Sequence, residues 1–229
     1  MPIKAVLIDL DGTLLDTVPD LAEAANVMLA VLGRPTLPVE AIRDFVGKGI
    51  PNLVGRCLGF PGESDAPEAR QALTVFWRHY AAANGRRTRI YPGVLEGLRA
   101  MRAAGLKTAC VTNKAAAFTG PLLEATGLAA LLDLTVSGDT LAEKKPHPLP
   151  FLHICSRFGI APAEALVVGD SRNDVAGARA AGCPVFCVPY GYSEGEDVRD
   201  LGADAIVATL EEAVSRLANF PSPPRGGLG

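Results

Sequence analysis

Apolar residues gather in short, nearly unbroken runs rather than long stripes. The runs at 3–10 (IKAVLIDL), 106–113 (LKTACVTN), 131–138 (LLDLTVSG), 164–170 (EALVVGD), 184–191 (PVFCVPYG) and 204–210 (DAIVATL) carry many branched aliphatic residues. Continuous apolar runs of this length predict strands buried on both faces. Between the later runs lie Ala-rich segments of helical length and spacing, at 94–104, 115–126, 147–158 and 172–181. Strands alternating with such helices predict an α/β fold, a doubly wound parallel sheet covered on both sides. The stretch 18–88 breaks the alternation. It shows helical patterns at 20–32, 38–46, 50–58 and 66–84 and no convincing strand, so it reads as an all-helical insert. Tyr91, Pro92 and Gly93 punctuate the return to the α/β pattern. The predicted division is a core of 1–17 plus 89–218, a helical unit of 18–88, and a Pro- and Gly-rich tail, 219–229, expected to be mobile.

Composition narrows the partners. At 229 residues and 48% hydrophobic content the chain can bury one large core and a smaller appendage. With 22 basic and 25 acidic residues, the net charge of −3 offers no field for nucleic acid or an anionic membrane surface. No apolar stretch reaches the roughly 18 residues of a membrane span. The N-terminal MPIKAVLIDLDG lacks the pattern of a signal peptide. Cys57, Cys110, Cys155, Cys183 and Cys187 show no CxxC spacing and read as reduced core residues, so a cytoplasmic location is expected.

Candidate chemistry sits where the strands end. IDLDGTLLD (8–16) follows the first strand with Asp9 and Asp11, which an extended backbone points to the same side. Two carboxylates so placed repel unless a cation or a proton lies between them. The bland alternatives are an Asx-rich turn or a calcium-loop fragment, although the acidic residue that a calcium loop needs further on is missing. CVTNK (110–114) offers Thr112 and Asn113, suited either to phosphate oxygens or to capping the helix from about 115. KKPHPLP (144–150) holds Lys144 and Lys145 before a proline-stiffened loop, and VVGDSRND (167–174) brings Asp170 and Asp174, one of which could instead cap a helix. Ligands of open parallel sheets bind beyond the carboxyl ends of the strands, so all four segments converge on one crevice.

The order DxDGT, TN, KP, GDxxxD over residues 9–174 resembles the four motifs of the haloacid dehalogenase superfamily. The resemblance implies a Rossmann-like core, a helical cap that closes over the site, and phosphatase or phosphomutase chemistry. It implies Asp9 as nucleophile and Asp11 as general acid and base. Thr112 and Asn113 would hold phosphate oxygens, and Lys145 would neutralise phosphate and nucleophile, with Lys144 leaving the register open by one position. The implied cofactor is Mg²⁺ on Asp9, Asp11 (through its backbone carbonyl) and Asp170, with Asp174 supporting the metal shell or the lysine. DGTLLDTVPDL (11–21) and FVGKGIPNLVGRCL (45–58) resemble the phosphoglycolate phosphatases within that family. The expected substrate is therefore a small phosphorylated metabolite, 2-phosphoglycolate, whose carboxylate Lys48 or Arg56 could meet; both could equally be surface charges. Asp16, Thr17 and Asp20 fall at the core-to-cap linker and are expected to shape the hinge, while Trp77 and His79 are expected to pack. A phosphatase or pyrophosphatase for other small esters, a β-phosphoglucomutase-like mutase and an inactive binding protein share parts of this pattern. The apolar cap surface leaves room for a homo-oligomer.

Overall fold

Strand β1 (Ala5–Ile8) is buried along its whole length because every side chain in it is apolar. Alternate residues serve opposite layers: Val6 and Ile8 join one apolar cluster, Ala5 and Leu7 another. This two-faced burial marks a strand at the centre of a sheet. In the computed structural model, which describes residues 2–217, the sheet is parallel throughout. Its order is β5 (Leu134–Val136), β4 (Lys107–Val111), β1, β6 (Ala165–Gly169), β7 (Val185–Cys187), β8 (Ala205–Ile206). Val6 stands opposite Thr108 on one side and Leu166 on the other.

Helices cover both faces. On the Val6–Ile8 side pack α5 (Val94–Ala103), through Val94, Leu98 and Met101, α6 (Ala116–Ala125), through Leu122 and Leu123, and α9 (Leu210–Leu217). On the Ala5–Leu7 side pack α7 (Leu149–Phe158), through Phe151, Ile154 and Cys155, and α8 (Arg172–Ala181), through Val175, Ala178 and Ala181. This is the doubly wound α/β architecture. The chain enters at β1, moves to β4 and β5 on one flank, then returns to β6 on the other. The carboxyl ends of β1, β4 and β6 therefore meet at a topological switch point, where such sheets bind ligands.

Between β1 and β4 the chain forms α1 (Val18–Val31), α2 (Val39–Arg43), α3 (Ile50–Cys57) and α4 (Pro67–Ala83). They share an apolar cluster that includes Met28, Leu29, Leu53, Phe76 and Tyr80 and that Tyr192 and Phe118 of the core also join. Trp77, expected to pack, is instead 48% exposed, because Phe76 and Tyr80 take the inner face of α4. The segments entering and leaving this helical unit pair as a short antiparallel ribbon, β2 (Leu15–Asp16) with β3 (Arg89–Ile90), which the sequence did not reveal. Buried Asp20 fastens the same junction, its carboxylate accepting from the backbone N–H groups of Gly85, Arg87 and Thr88 and from the Thr88 hydroxyl. The five cysteines are free and buried. The tail at 219–229 lies outside the described residues.

Candidate active site

Asp9 immediately follows β1, and its N–H continues the ladder by donating to the Val168 carbonyl at 2.9 Å. Its carboxylate is buried and meets Lys145 Nζ at 2.5 Å. That ammonium also donates to Asp174 Oδ1 and to the Val111 carbonyl, both at 2.7 Å, which occupies all three of its protons. Between the two adjacent lysines the geometry is decisive: Lys145 is buried in the crevice, whereas Lys144 is only half-buried and donates to the Lys48 carbonyl. Burial pushes the Asp9 carboxyl well above its ordinary pKa; Lys145 opposes this, and nearby Asp174 and Asp170 add to it. Lys145 is also buried, yet the Asp174 and Asp9 carboxylates outweigh that penalty and hold it charged.

Asp170 follows β6 and is fixed from two sides. Oδ1 accepts from the Thr13 hydroxyl at 3.0 Å, and Oδ2 accepts from the Tyr192 N–H at 2.6 Å. Burial and the Asp174 charge raise its pKa to about 6. The loop closes on it this tightly because two residues lack a side chain: a Cβ at Gly12 would lie 2.2 Å from Asp170 Oδ2, and one at Gly191 2.2 Å from Asp170 Cβ. Asp174 both caps and supports. Its Oδ2 accepts from the Ser171 N–H and hydroxyl at the start of α8, while Oδ1 anchors Lys145.

One carboxylate oxygen each from Asp9, Asp170 and Asp174 falls within a 4.8 Å span. An all-oxygen cradle of clustered, buried carboxylates fits a hard divalent cation, and the raised Asp9 and Asp170 describe groups waiting for positive charge. Asp174 has both oxygens engaged, by Lys145 and Ser171, and Asp170 has both engaged, by Thr13 and Tyr192.

Asp11 faces the same crevice. Its Oδ1 accepts from the Thr17 hydroxyl at 2.6 Å and from Lys114 Nζ at 3.0 Å. The sequence reading missed Lys114, although it directly follows Thr112 and Asn113 at the end of β4. A lysine inside a loop already assigned to the crevice was the available signal. Burial disfavours its charge, but Asp11 and Tyr80 prevail and raise its pKa above the ordinary lysine value. Its ammonium lies 5.0 Å from the centroid of the Tyr80 ring on α4.

Thr112 and Asn113 are buried beside it. Neither caps α6, whose first N–H, that of Ala116, donates to Asp139 at 2.8 Å. The Asn113 amide instead donates to the Gly47 carbonyl of the helical unit at 2.8 Å and to the Lys145 carbonyl at 2.9 Å. Tyr192, also missed, ties Asp170 to the linker. Beyond its N–H contact to Asp170, its hydroxyl accepts from the N–H groups of Thr17 and Val18 and donates to Asp16.

A cavity of about 30 Å³, room for a water or two, separates the two units. Asp9, Asp11, Thr112, Asn113 and Lys114 line its core side; Leu21, Val46, Gly47, Gly49, Ile50 and Leu53 line the other. Lys48 and Arg56 lie outside it. The Lys48 ammonium is paired with Glu194 at 2.6 Å, while Arg56 donates to the Asp44 carbonyl and stacks on Phe45.

The family profile described as haloacid dehalogenase-like hydrolase matches residues 3–182. The chain belongs to this hydrolase family. Among its relatives, a phosphoglycolate phosphatase of Nitrosospira multiformis is 57% identical over 215 residues, covering 93% of this chain and 95% of its own. A phosphoglycolate phosphatase of Thiobacillus denitrificans is 54% identical, covering 93% and 95%. The crystal structure of a predicted phosphoglycolate phosphatase from Haemophilus somnus superposes with a TM-score of 0.88 at 32% identity, covering 93% of this chain and 97% of that one. The haloacid dehalogenase-like chain is thus an enzyme of hydrolase type, similar along nearly its whole length to phosphoglycolate phosphatases.

Proposed function

We propose that this enzyme is a magnesium-dependent phosphatase that hydrolyses 2-phosphoglycolate to glycolate and phosphate through an aspartyl phosphate on Asp9. The observation that carries the reading is the buried contact between Asp9 and Lys145 at the switch point, with Asp11 beside it in the same cavity. The relatives' activity supports the choice of ester. Asp9, Asp170 and the Asp11 backbone carbonyl would hold Mg²⁺, which supplies the positive charge that lets two anions, nucleophile and phosphate, approach each other.

The protein's own groups do the rest. The Asp9 carboxylate attacks phosphorus as the bond to the ester oxygen breaks, and Asp11 gives its proton to the departing glycolate oxygen. Asp11 then takes a proton from water; the resulting hydroxide attacks phosphorus, the Asp9–phosphorus bond breaks, and phosphate leaves. The Thr112 hydroxyl and Asn113 N–H hold phosphoryl oxygens, and Lys145 balances their charge against that of Asp9. Asp174 keeps Lys145 aimed. α1–α4 act as a cap that shuts water out, and they must shift to admit an ester larger than the present cavity. The substrate is a small cytoplasmic metabolite, a compartment that five unpaired cysteines suit. The test is phosphate release from a panel containing 2-phosphoglycolate, sugar phosphates and pyrophosphate, with and without magnesium. Selective, magnesium-dependent release from 2-phosphoglycolate is expected; even activity across the panel would retire the substrate, and isomerised sugar phosphate without release would establish a mutase.

A further inference from the structure

Lys114 is the cation among the described residues that line the cavity. The opposite wall, Leu21, Val46, Gly47, Gly49, Ile50 and Leu53, offers only apolar side chains or none. Lys48 and Arg56 of the helical unit are engaged elsewhere by Glu194 and by the Asp44 carbonyl, and Arg43 by the Tyr190 carbonyl and the Tyr192 ring. Whereas Lys145 has all three protons bound to Asp9, Asp174 and Val111, the Lys114 ammonium gives one to Asp11 and rests against the Tyr80 ring, which leaves donor capacity for a ligand.

We propose that Lys114 is a specificity-determining residue that binds the substrate's carboxylate. The inference rests on the phosphatase reading above. Asp11 protonates the ester oxygen, so that oxygen sits within hydrogen-bond reach of the Asp11 carboxyl. Lys114 Nζ lies 3.0 Å from the same carboxyl. A carboxylate carried one carbon beyond the ester oxygen then falls within reach of the ammonium, and a charge-assisted bond forms in a cavity shielded from water. An ester of the same length without that carboxylate leaves a buried ammonium with no ligand partner beyond Asp11. The pocket therefore selects short phosphate esters bearing an α-carboxylate and discriminates against neutral alkyl esters.

The experiment compares kcat/KM for 2-phosphoglycolate and ethyl phosphate in wild type, Lys114→Met and Lys114→Arg. Wild type is expected to prefer 2-phosphoglycolate by about 30-fold, the size of one charge-assisted bond. Lys114→Met should cut that preference to under about 3-fold, chiefly through KM, and Lys114→Arg should restore part of it. A Lys114→Met protein that keeps the wild-type preference overturns the proposal while leaving the function intact. A wild type without any preference retires the substrate and this inference together. Should Lys114→Met turn over neither ester, calorimetric affinities for both, measured in Asp9→Asn with and without Lys114→Met, decide the matter: the same collapse of preference supports the role, and an unchanged ratio ends it.

Discussion

Glu194 of the core grips Lys48 of the helical unit at 2.6 Å, across 146 positions of sequence. Asn173 donates to the same carboxylate at 3.2 Å, and Arg56 lies 3.9 Å from it. Glu194 and its neighbour Ser193 both hold positive φ, 53° and 40°, a conformation that side chains other than glycine adopt only when surrounding contacts enforce it. The pair ties the helical unit to the core. Since Lys48 is half exposed, this tie adds little to global stability. Its effect should appear in substrate capture: Glu194→Gln is expected to raise KM for 2-phosphoglycolate by about 3-fold at low salt, a difference that about 1 M salt erases by screening. Equal KM values at low salt would show that the contact is idle.

Lys145 neutralises two buried carboxylates at once, so its removal strands both Asp9 and Asp174. Lys145→Met should destabilise the fold by about 3 kcal/mol and lower kcat by about 1,000-fold or more. Lys145→Arg should rescue little, because a planar guanidinium cannot repeat three donor directions set for an ammonium. Urea unfolding and steady-state kinetics report the two effects separately.

Gly12 and Gly59 both hold positive φ, 93° and 90°, but only Gly12 faces a neighbour: a Cβ there meets Asp170 Oδ2 at 2.2 Å, and a Cβ at Gly59 meets nothing within 4 Å. Gly59→Ala should therefore cost only the backbone strain of about 1 kcal/mol. Gly12→Ala should cost more and also weaken magnesium activation by displacing Asp170. Matching magnesium titrations for the two variants would contradict this account of the DxDG turn.

Asp170, raised to about 6, binds its proton more tightly folded than unfolded. The metal-free protein should accordingly lose stability as pH rises from about 4 through about 6. A divalent cation competes with that proton, so the magnesium-induced rise in Tm should be small at pH 5 and larger at pH 7.5. Thermal melts with and without magnesium at the two values check the sign; a larger shift at pH 5 would contradict it.

The fold after residue 93 was legible because burial on both faces leaves continuous apolar runs and amphipathic helices little ambiguity. The segments that follow β1, β4 and β6 were legible for the same reason, since a parallel sheet fixes where its carboxyl ends meet; the lysine loop at 144–150 instead leads into α7, well beyond the end of β5. What escaped were elements too short to carry a period and contacts too distant to carry a spacing. The β2–β3 ribbon has two residues per strand. Tyr192 reaches Thr17 across 175 positions. Lys48 and Arg56 are cations in the right segment, but only the folded chain shows Glu194 and Asp44 engaging them. Lys114 escaped differently, for it stood inside a segment already read and was passed over in favour of its neighbours.

The most direct test of the central claim asks whether phosphate is carried on Asp9. In Asp11→Asn, which lacks the base that activates water, the protein is quenched during turnover of 2-phosphoglycolate, reduced with borohydride and analysed by peptide mass spectrometry. An acyl phosphate on Asp9 reduces to homoserine, so homoserine confined to position 9 is the expected result. A protein that has released glycolate yet carries homoserine at another aspartate, or at none, would contradict the mechanism.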